Sequence, residues 1–180
     1  MPTRTTACLT ALALCAATGA TAETLNPIDV ADMSRGEFVD TYLSHYTSQL
    51  EWTREAFARV GDGYEDFVDA DAPLSDLERA VPGCLYDAAD SPEAKQQLGM
   101  QLAVAQMMGE KVRADADIDY VDVVYGGLAD DIEGYEPTQE MATMMQACKA
   151  PQAAMQRMSF TQDTWKMIQS EAVERGYVDP

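Results

Sequence analysis

The chain has 180 residues, 47% of them hydrophobic, with 31 acidic residues against 12 basic ones and a formal net charge of −19. Such a charge repels phosphate backbones and anionic lipid surfaces, which excludes nucleic acid as a partner and favours cationic ones. The length suits one domain that buries a sizeable core without metal staples.

The first segment reads as a signal peptide. Met1 to Thr6 carries one positive charge, at Arg4, and Ala7 to Ala17 is small and apolar apart from Thr10. Ala20-Thr21-Ala22 then offers small residues to a signal peptidase. The apolar run has the length of a signal core and falls short of the roughly 20 apolar residues that span a bilayer. Residues 1–22 are therefore expected to leave, with residues 23–180 remaining as a single acidic helical domain in the periplasm or the medium. A lipid anchor on Cys15 is the rival reading, but Leu14 stands where a small residue is needed. No later stretch is apolar enough to insert into a membrane. Cys84 and Cys148 remain, and in an oxidising compartment they read as one disulfide. Closing that loop stabilises the fold by about 4 kcal/mol in the chain-entropy model.

The mature composition is rich in Ala, Leu and Met and poor in Val and Ile, which favours helices over strands. The first predicted helix runs from Arg35 to Val60, capped by Ser34 with Glu37 as a capping box. Phe38, Tyr42, Tyr46, Leu50, Phe57 and Val60 form its apolar stripe. An acidic connection from Asp62 to Ala72 follows. A short helix from Leu74 to Val81, capped by Ser75, is expected to break at Pro82-Gly83, with another turn from Cys84 to Ala89. Ser91-Pro92 opens the clearest helix, which reaches Arg113. Leu98, Leu102, Ala105, Met108 and Val112 form one of its faces, and Met100, Val104 and Met107 an adjoining one.

Ala114 to Glu136 is ambiguous. Ile118, Val121, Tyr125, Leu128 and Ile132 fit helical spacing, whereas Tyr120 to Tyr125 could also make a strand. Helix is the preferred reading. Thr138 should cap a helix from Gln139 to Lys149 that Pro151 interrupts, with a further turn to Met158. The last helix, Gln162 to Arg175, should be capped by Thr161 and stopped by Gly176, with Trp165, Ile168 and Ala172 inward. The fold class is thus all-α: an irregular bundle of about five to six helices with one disulfide.

Three constellations could carry chemistry. The first is acidic. Asp62 to Glu78 and Asp115 to Glu140 hold many carboxylates and no base, and a hard cation such as Ca²⁺ relieves that repulsion. Asp115, Asp117 and Asp119 begin like a calcium-binding loop, with Asp122 near, but Tyr120 stands where the turn needs glycine and Gly126 where a bidentate glutamate is needed. A solvated face is the plainer reading. Second are the methionines. Met141, Met144 and Met145 share a helix face, and Met155 and Met158 another. They could line a groove for varied clients or bind Cu(I), but core packing is the simpler role. The third is His45, the chain's only histidine, beside the stripe of the first helix.

No hydrolase, metalloprotease, phosphate-loop or haem motif occurs, and no cofactor is expected. An enzyme is the weaker reading, since a carboxylate pair of glycosidase type cannot be selected among so many acids. The leading expectation is a non-catalytic envelope protein that binds a basic or partly unfolded protein, inhibitor-like or chaperone-like. Met141, Met144, Met145, Asp66, Asp69 and Asp71 are its candidate contact residues. The alternatives are a Ca²⁺-binding protein and a carboxylate-dependent hydrolase.

Overall fold

A computed structural model describes residues 23–128, 132–133, 138–159 and 162–179. The predicted signal segment and the predicted cap Thr161 lie outside the described residues. The all-α class holds. The helices are α1 (Arg35–Val60), α2 (Asp76–Ala88), α3 (Pro92–Ala114), α4 (Tyr120–Tyr125), α5 (Gln139–Ala147), α6 (Ala150–Met155) and α7 (Gln162–Glu174), with a 3₁₀ turn at Glu65–Phe67. One short parallel pairing joins β1 (Glu23–Thr24) to β2 (Ile132–Glu133).

Caps set most of these boundaries. Ser34 and Ser75 each form a full capping box, with Glu37 and Glu78 respectively. Ser91 caps α3 with Pro92 in its first turn, and Thr138 caps α5 through the Met141 N–H. Asp119 caps α4, so Tyr120–Tyr125 is helical rather than a strand. Gly126 ends that helix, and Ile132 pairs with Glu23 instead of prolonging it. Gly176 stops α7 in the left-handed conformation (φ 75°), with Tyr177 N–H donating to the Ala172 carbonyl at 2.9 Å.

The structure corrects the expected break at Pro82. The helix α2 runs through this proline, which is buried. The ring removes one backbone bond and costs about 3 kcal/mol in a free helix. Here both sides of it are held: Glu78 sits in a buried ion pair before it and Cys84 is bonded to Cys148 after it. The break expected at Pro151 also moves. Lys149 adopts a left-handed conformation (φ 58°) and separates α5 from α6, while Pro151 sits comfortably in the first turn of α6. Trp165 is 40% exposed rather than inward, because Thr164, Ile168 and Ala172 make the buried stripe of α7. Met155 is 55% exposed, and Met158 lies beyond α6, bridged to Val68, so the two do not share a helix face.

The helix α1 is the spine. Its first half packs Phe38 with Val81, Leu85, Leu98, Leu102, Met141 and Met144. Its second half packs Leu50 and Phe57 with Val68, Val121, Ile168 and Ala172. Between them Trp52 and Ala56 meet Met108 and Val112 of α3. The other side of α3 is covered by the N-terminal strap. Leu25 packs on Met100 and Ala103, and the Ile28 N–H donates to the Gly99 carbonyl at 3.3 Å. Gly99 is required there because a β-carbon would collide with the Ile28 backbone. The two apolar faces read in this helix thus have two different partners.

One buried ion pair ties the ends of the bundle together. Arg157, just past α6, donates from Nε to Glu78 at 2.5 Å and from Nη2 at 3.0 Å. The same guanidinium donates to the carbonyls of Asp69, Ala72 and Pro73. Tyr46 donates its hydroxyl to Glu78 at 2.9 Å, and the Ser75 N–H donates to the other carboxylate oxygen. Burial alone would raise the Glu78 carboxyl, but the bonds from Arg157, Ser75 and Tyr46 outweigh it and hold it at about 2.

Removing one partner of such a pair leaves an uncompensated buried charge, at a cost of about 3–5 kcal/mol. Arg157→Leu should therefore lower the melting temperature by roughly 10 °C at neutral pH. Glu78 is depressed in the fold, so its contribution is fully present above the ordinary carboxyl value of 4.5 and is lost as pH falls toward about 2. The gap in melting temperature between wild type and Arg157→Leu should accordingly narrow across that window. A constant gap down to the acid limit would show that the pair does not carry this stability.

Candidate functional site

The packing of α1 on α3 leaves a cleft. Tyr42, His45, Tyr46, Gln49 and Trp52 come from α1, where spacings of three and four put them on one face. Leu98, Gln101, Leu102, Ala105 and Met108 come from α3, with Leu85 of α2 and Met145 of α5 closing one side. The cavity measures about 230 Å³ and is lined mainly by apolar atoms. It exists because Ala105 stops at its β-carbon where larger side chains flank it. A more polar hollow continues past His45 and Ala105, lined by Ser44, Ser48, Gln106, Glu110 and Arg113.

Each wall has an identifiable support. Tyr46 is positioned by its bond to Glu78, and Tyr42 stacks beside it with ring centroids 6.3 Å apart. Phe38 holds Tyr42 from below at 6.0 Å. Trp52 packs against Gly109 of α3. A β-carbon at Gly109 would come within 2.5 Å of the indole Cδ1, so the glycine sets how far Trp52 withdraws from the cavity. Met145 is carried three residues before Cys148, whose bond to Cys84 (Cα–Cα 5.6 Å) holds α5 to α2.

Three polar groups of the cleft are idle. The side chains of His45 and Gln49 and the hydroxyl of Tyr42 have no hydrogen-bond partner among the described residues. Burial lowers the His45 pKa from its ordinary value of 6.5, so the imidazole is neutral at pH 7 with one acceptor nitrogen. Burial pushes the Tyr42 hydroxyl up to about 12. Burial and the bond to Glu78 push Tyr46 higher still, so both phenols stay protonated. Neither Ser44 nor Ser48 is hydrogen-bonded to His45, and Ser48 instead accepts from Arg113 at 3.1 Å. The arrangement is therefore an apolar-lined recess with donors and acceptors along its walls. It presents no nucleophile bonded to a base.

The sequence-derived candidates are distributed differently. Met141 and Met144 are buried in the core, and Met145 alone of the three reaches the cleft. Asp66 is exposed. Asp69 accepts from the Ala72 N–H at 3.0 Å, and Asp71 pairs with Arg54 at 2.7 Å on the surface. In the second acidic run, Asp115 accepts from the Asp117 N–H on an exposed turn. Asp119 is buried and takes Arg175 at 2.6 Å, and Asp122 takes Arg175 at 3.1 Å and the Tyr177 hydroxyl at 2.7 Å. Burial would raise the Asp122 carboxyl, but hydrogen bonds from the Asp119 backbone, Tyr177 and Arg175 hold it low. Asp119 and Asp122 are thus joined by an arginine, while Asp115 and Asp117 stand apart from them. Among the described residues no three His, Cys, Asp or Glu side chains gather in a metal-binding group.

No motif in the sequence marks this cleft, because its walls come from four helices. Gln49 and Trp52 follow His45 at helical spacing, and that run of hydrogen-bonding and aromatic side chains on one face is the signal available. In comparison with known proteins, no protein family, curated protein or solved structure matches the chain.

Trp52 offers a direct report on the cleft wall. Gly109→Ala gains about 1 kcal/mol of helix propensity but forces overpacking that costs about 1–3 kcal/mol. The variant should be net destabilised, and in a Trp165→Phe background its emission should shift as the indole moves. A gain in melting temperature with unchanged emission would mean that Trp52 does not rest on Gly109.

Proposed function

We propose that the protein is an exported, non-catalytic binding protein whose α1–α3 cleft anchors a basic protein partner. The carrying observation is the cleft itself: an apolar recess rimmed by His45, Gln49 and Tyr42, whose polar groups have no partner among the described residues. Idle polar groups around an apolar pocket are the ordinary form of a recognition site. The net charge of −19 supplies the sign of the partner. Such a field speeds the approach of a cationic protein, and the steering weakens with salt. The pocket then supplies the anchor, as a small buried centre dominates most protein interfaces.

Export rests on the predicted signal segment at residues 1–22 and is compatible with the Cys84–Cys148 disulfide. Among the described residues no helix is long and apolar enough to cross a membrane.

The test is affinity capture from an envelope extract at low and high salt, with wild type and Ala105→Phe as baits. The phenylalanine fills the cleft from a half-exposed position, and circular dichroism checks that the fold survives. One basic protein should be retained by wild type at low salt, released at high salt and not retained by Ala105→Phe. Retention that survives the filled cleft, or none at all, overturns the reading.

A further inference from the structure

The cleft also states which chemical group it takes. We infer that it receives a single neutral aromatic ring bearing one hydrogen-bond donor, a phenol or an indole, presented as a tyrosine or tryptophan side chain by the basic partner. This rests on the binding reading above and assigns the group recognised at the same site.

Size comes first. About 230 Å³ is less than the roughly 300–1,000 Å³ of drug-sized ligand sites and suits one ring rather than a helix. The walls come next. Tyr42, Tyr46 and Trp52 present aromatic surface, and Leu98, Leu102, Met108 and Met145 present aliphatic and thioether surface. Rings pack on such walls edge-to-face or offset, and methionine sulfur favours aromatic neighbours.

Charge then excludes the alternatives. Among the described residues no carboxylate lines the cavity to pair a lysine or arginine head: Glu78 beneath the floor is already taken by Arg157, and Glu110 stands in the outer hollow with Arg113. An anion meets a protein of net charge −19, Arg157 beneath the floor is spent on Glu78, and Arg113 lies in the outer hollow facing Glu51 at 3.6 Å and Ser48. A neutral ring remains. Its donor finds the acceptor nitrogen of neutral His45 at the rim. Tyrosine and tryptophan are also the side chains that most often anchor interfaces.

His45 makes the recognition pH-dependent. Its surroundings are Tyr42 and Tyr46 on α1 and Glu110 and Arg113 on α3, while α2 and α5 contribute only Leu85 and Met145 to the lining. Both phenols stay protonated, so the titrating acceptor is His45. Its protonation removes the acceptor nitrogen, and affinity for the donor-bearing ring falls as pH drops below the His45 titration point.

The experiment uses the full chain carrying Trp165→Phe, titrated with p-cresol and with toluene. Trp52 fluorescence and the His45 imidazole proton signal, unique because the chain has one histidine, are the readouts. p-Cresol should move both signals and bind about tenfold tighter than toluene, the ratio one net hydrogen bond supports. That preference should fade at acid pH, vanish in His45→Leu, and persist without pH dependence in His45→Gln. Equal affinities at every pH, or an unmoved His45 signal, overturn the assignment.

A lysine-rich peptide with one tyrosine, and its alanine counterpart, separate the sources. The tyrosine peptide should displace p-cresol in a salt-sensitive way and the alanine peptide should not. p-Cresol recognition without displacement would make the ring a free small molecule and overturn the protein partner. Capture abolished by Ala105→Phe, together with indifference between p-cresol and toluene, would keep the partner and overturn the ring.

Discussion

A carboxylate that stays ionised inside the bundle organises this molecule. Glu78 is 2% exposed and Arg157 5%, and neither could be buried alone. Their pairing is made possible by saturation: the guanidinium spends its remaining donors on three backbone carbonyls, and the carboxylate takes Tyr46 and the Ser75 N–H. Every group that the pair desolvates is given a partner. The consequence is geometric. The turn at residues 69–73, the start of α2 and the exit of α6 must meet at one point, and Tyr46 of α1 must lean toward it. Breaking the pair strands a charge inside the bundle, so packings that separate these elements are disfavoured.

The cleft is downstream of that constraint. Tyr46 is committed to Glu78, so its ring forms a fixed wall instead of collapsing into the space beside Ala105. Trp52 is withdrawn onto Gly109, and the Cys84–Cys148 bond keeps Met145 at the far side. A void of this size between packed helices would ordinarily be filled. It persists here because Tyr46, Trp52 and Met145 are each restrained from outside the cleft and Ala105 fills no more than a methyl group's space.

The acidic excess has two fates. Glu78, Asp119 and Asp122 are drawn in and neutralised by Arg157 and Arg175, residues distant from them in the chain. Among the described residues most of the other acids stay on the surface and contribute to the long-range field. The same residue type therefore serves as internal fastener and as external charge, and arginine supply decides which: with few bases available, only a few acids can be buried.

The sequence by itself determined the local events. Caps at Ser34, Ser75, Ser91 and Thr138 and the stop at Gly176 follow from residues within one turn, and the cysteine pair follows from there being only two cysteines after residue 22. The stripe of α1 is legible: Phe38, Leu50 and Phe57 are buried, and Tyr42, Tyr46 and Val60 pack against the same clusters. Tertiary structure decided the rest. Pro82 is helical because Glu78 and Cys84 are anchored from outside α2, and Trp165 is exposed because Thr164 and Ile168 claim the inner face of α7. Asp119 and Asp122 serve Arg175, more than fifty residues away. The cleft could not be read from spacing alone, since a cavity is a place where two helices fail to fill the space between them. That depends on the distance and rotation of α1 against α3, which Gly109, Tyr46 and the Glu78–Arg157 pair set together.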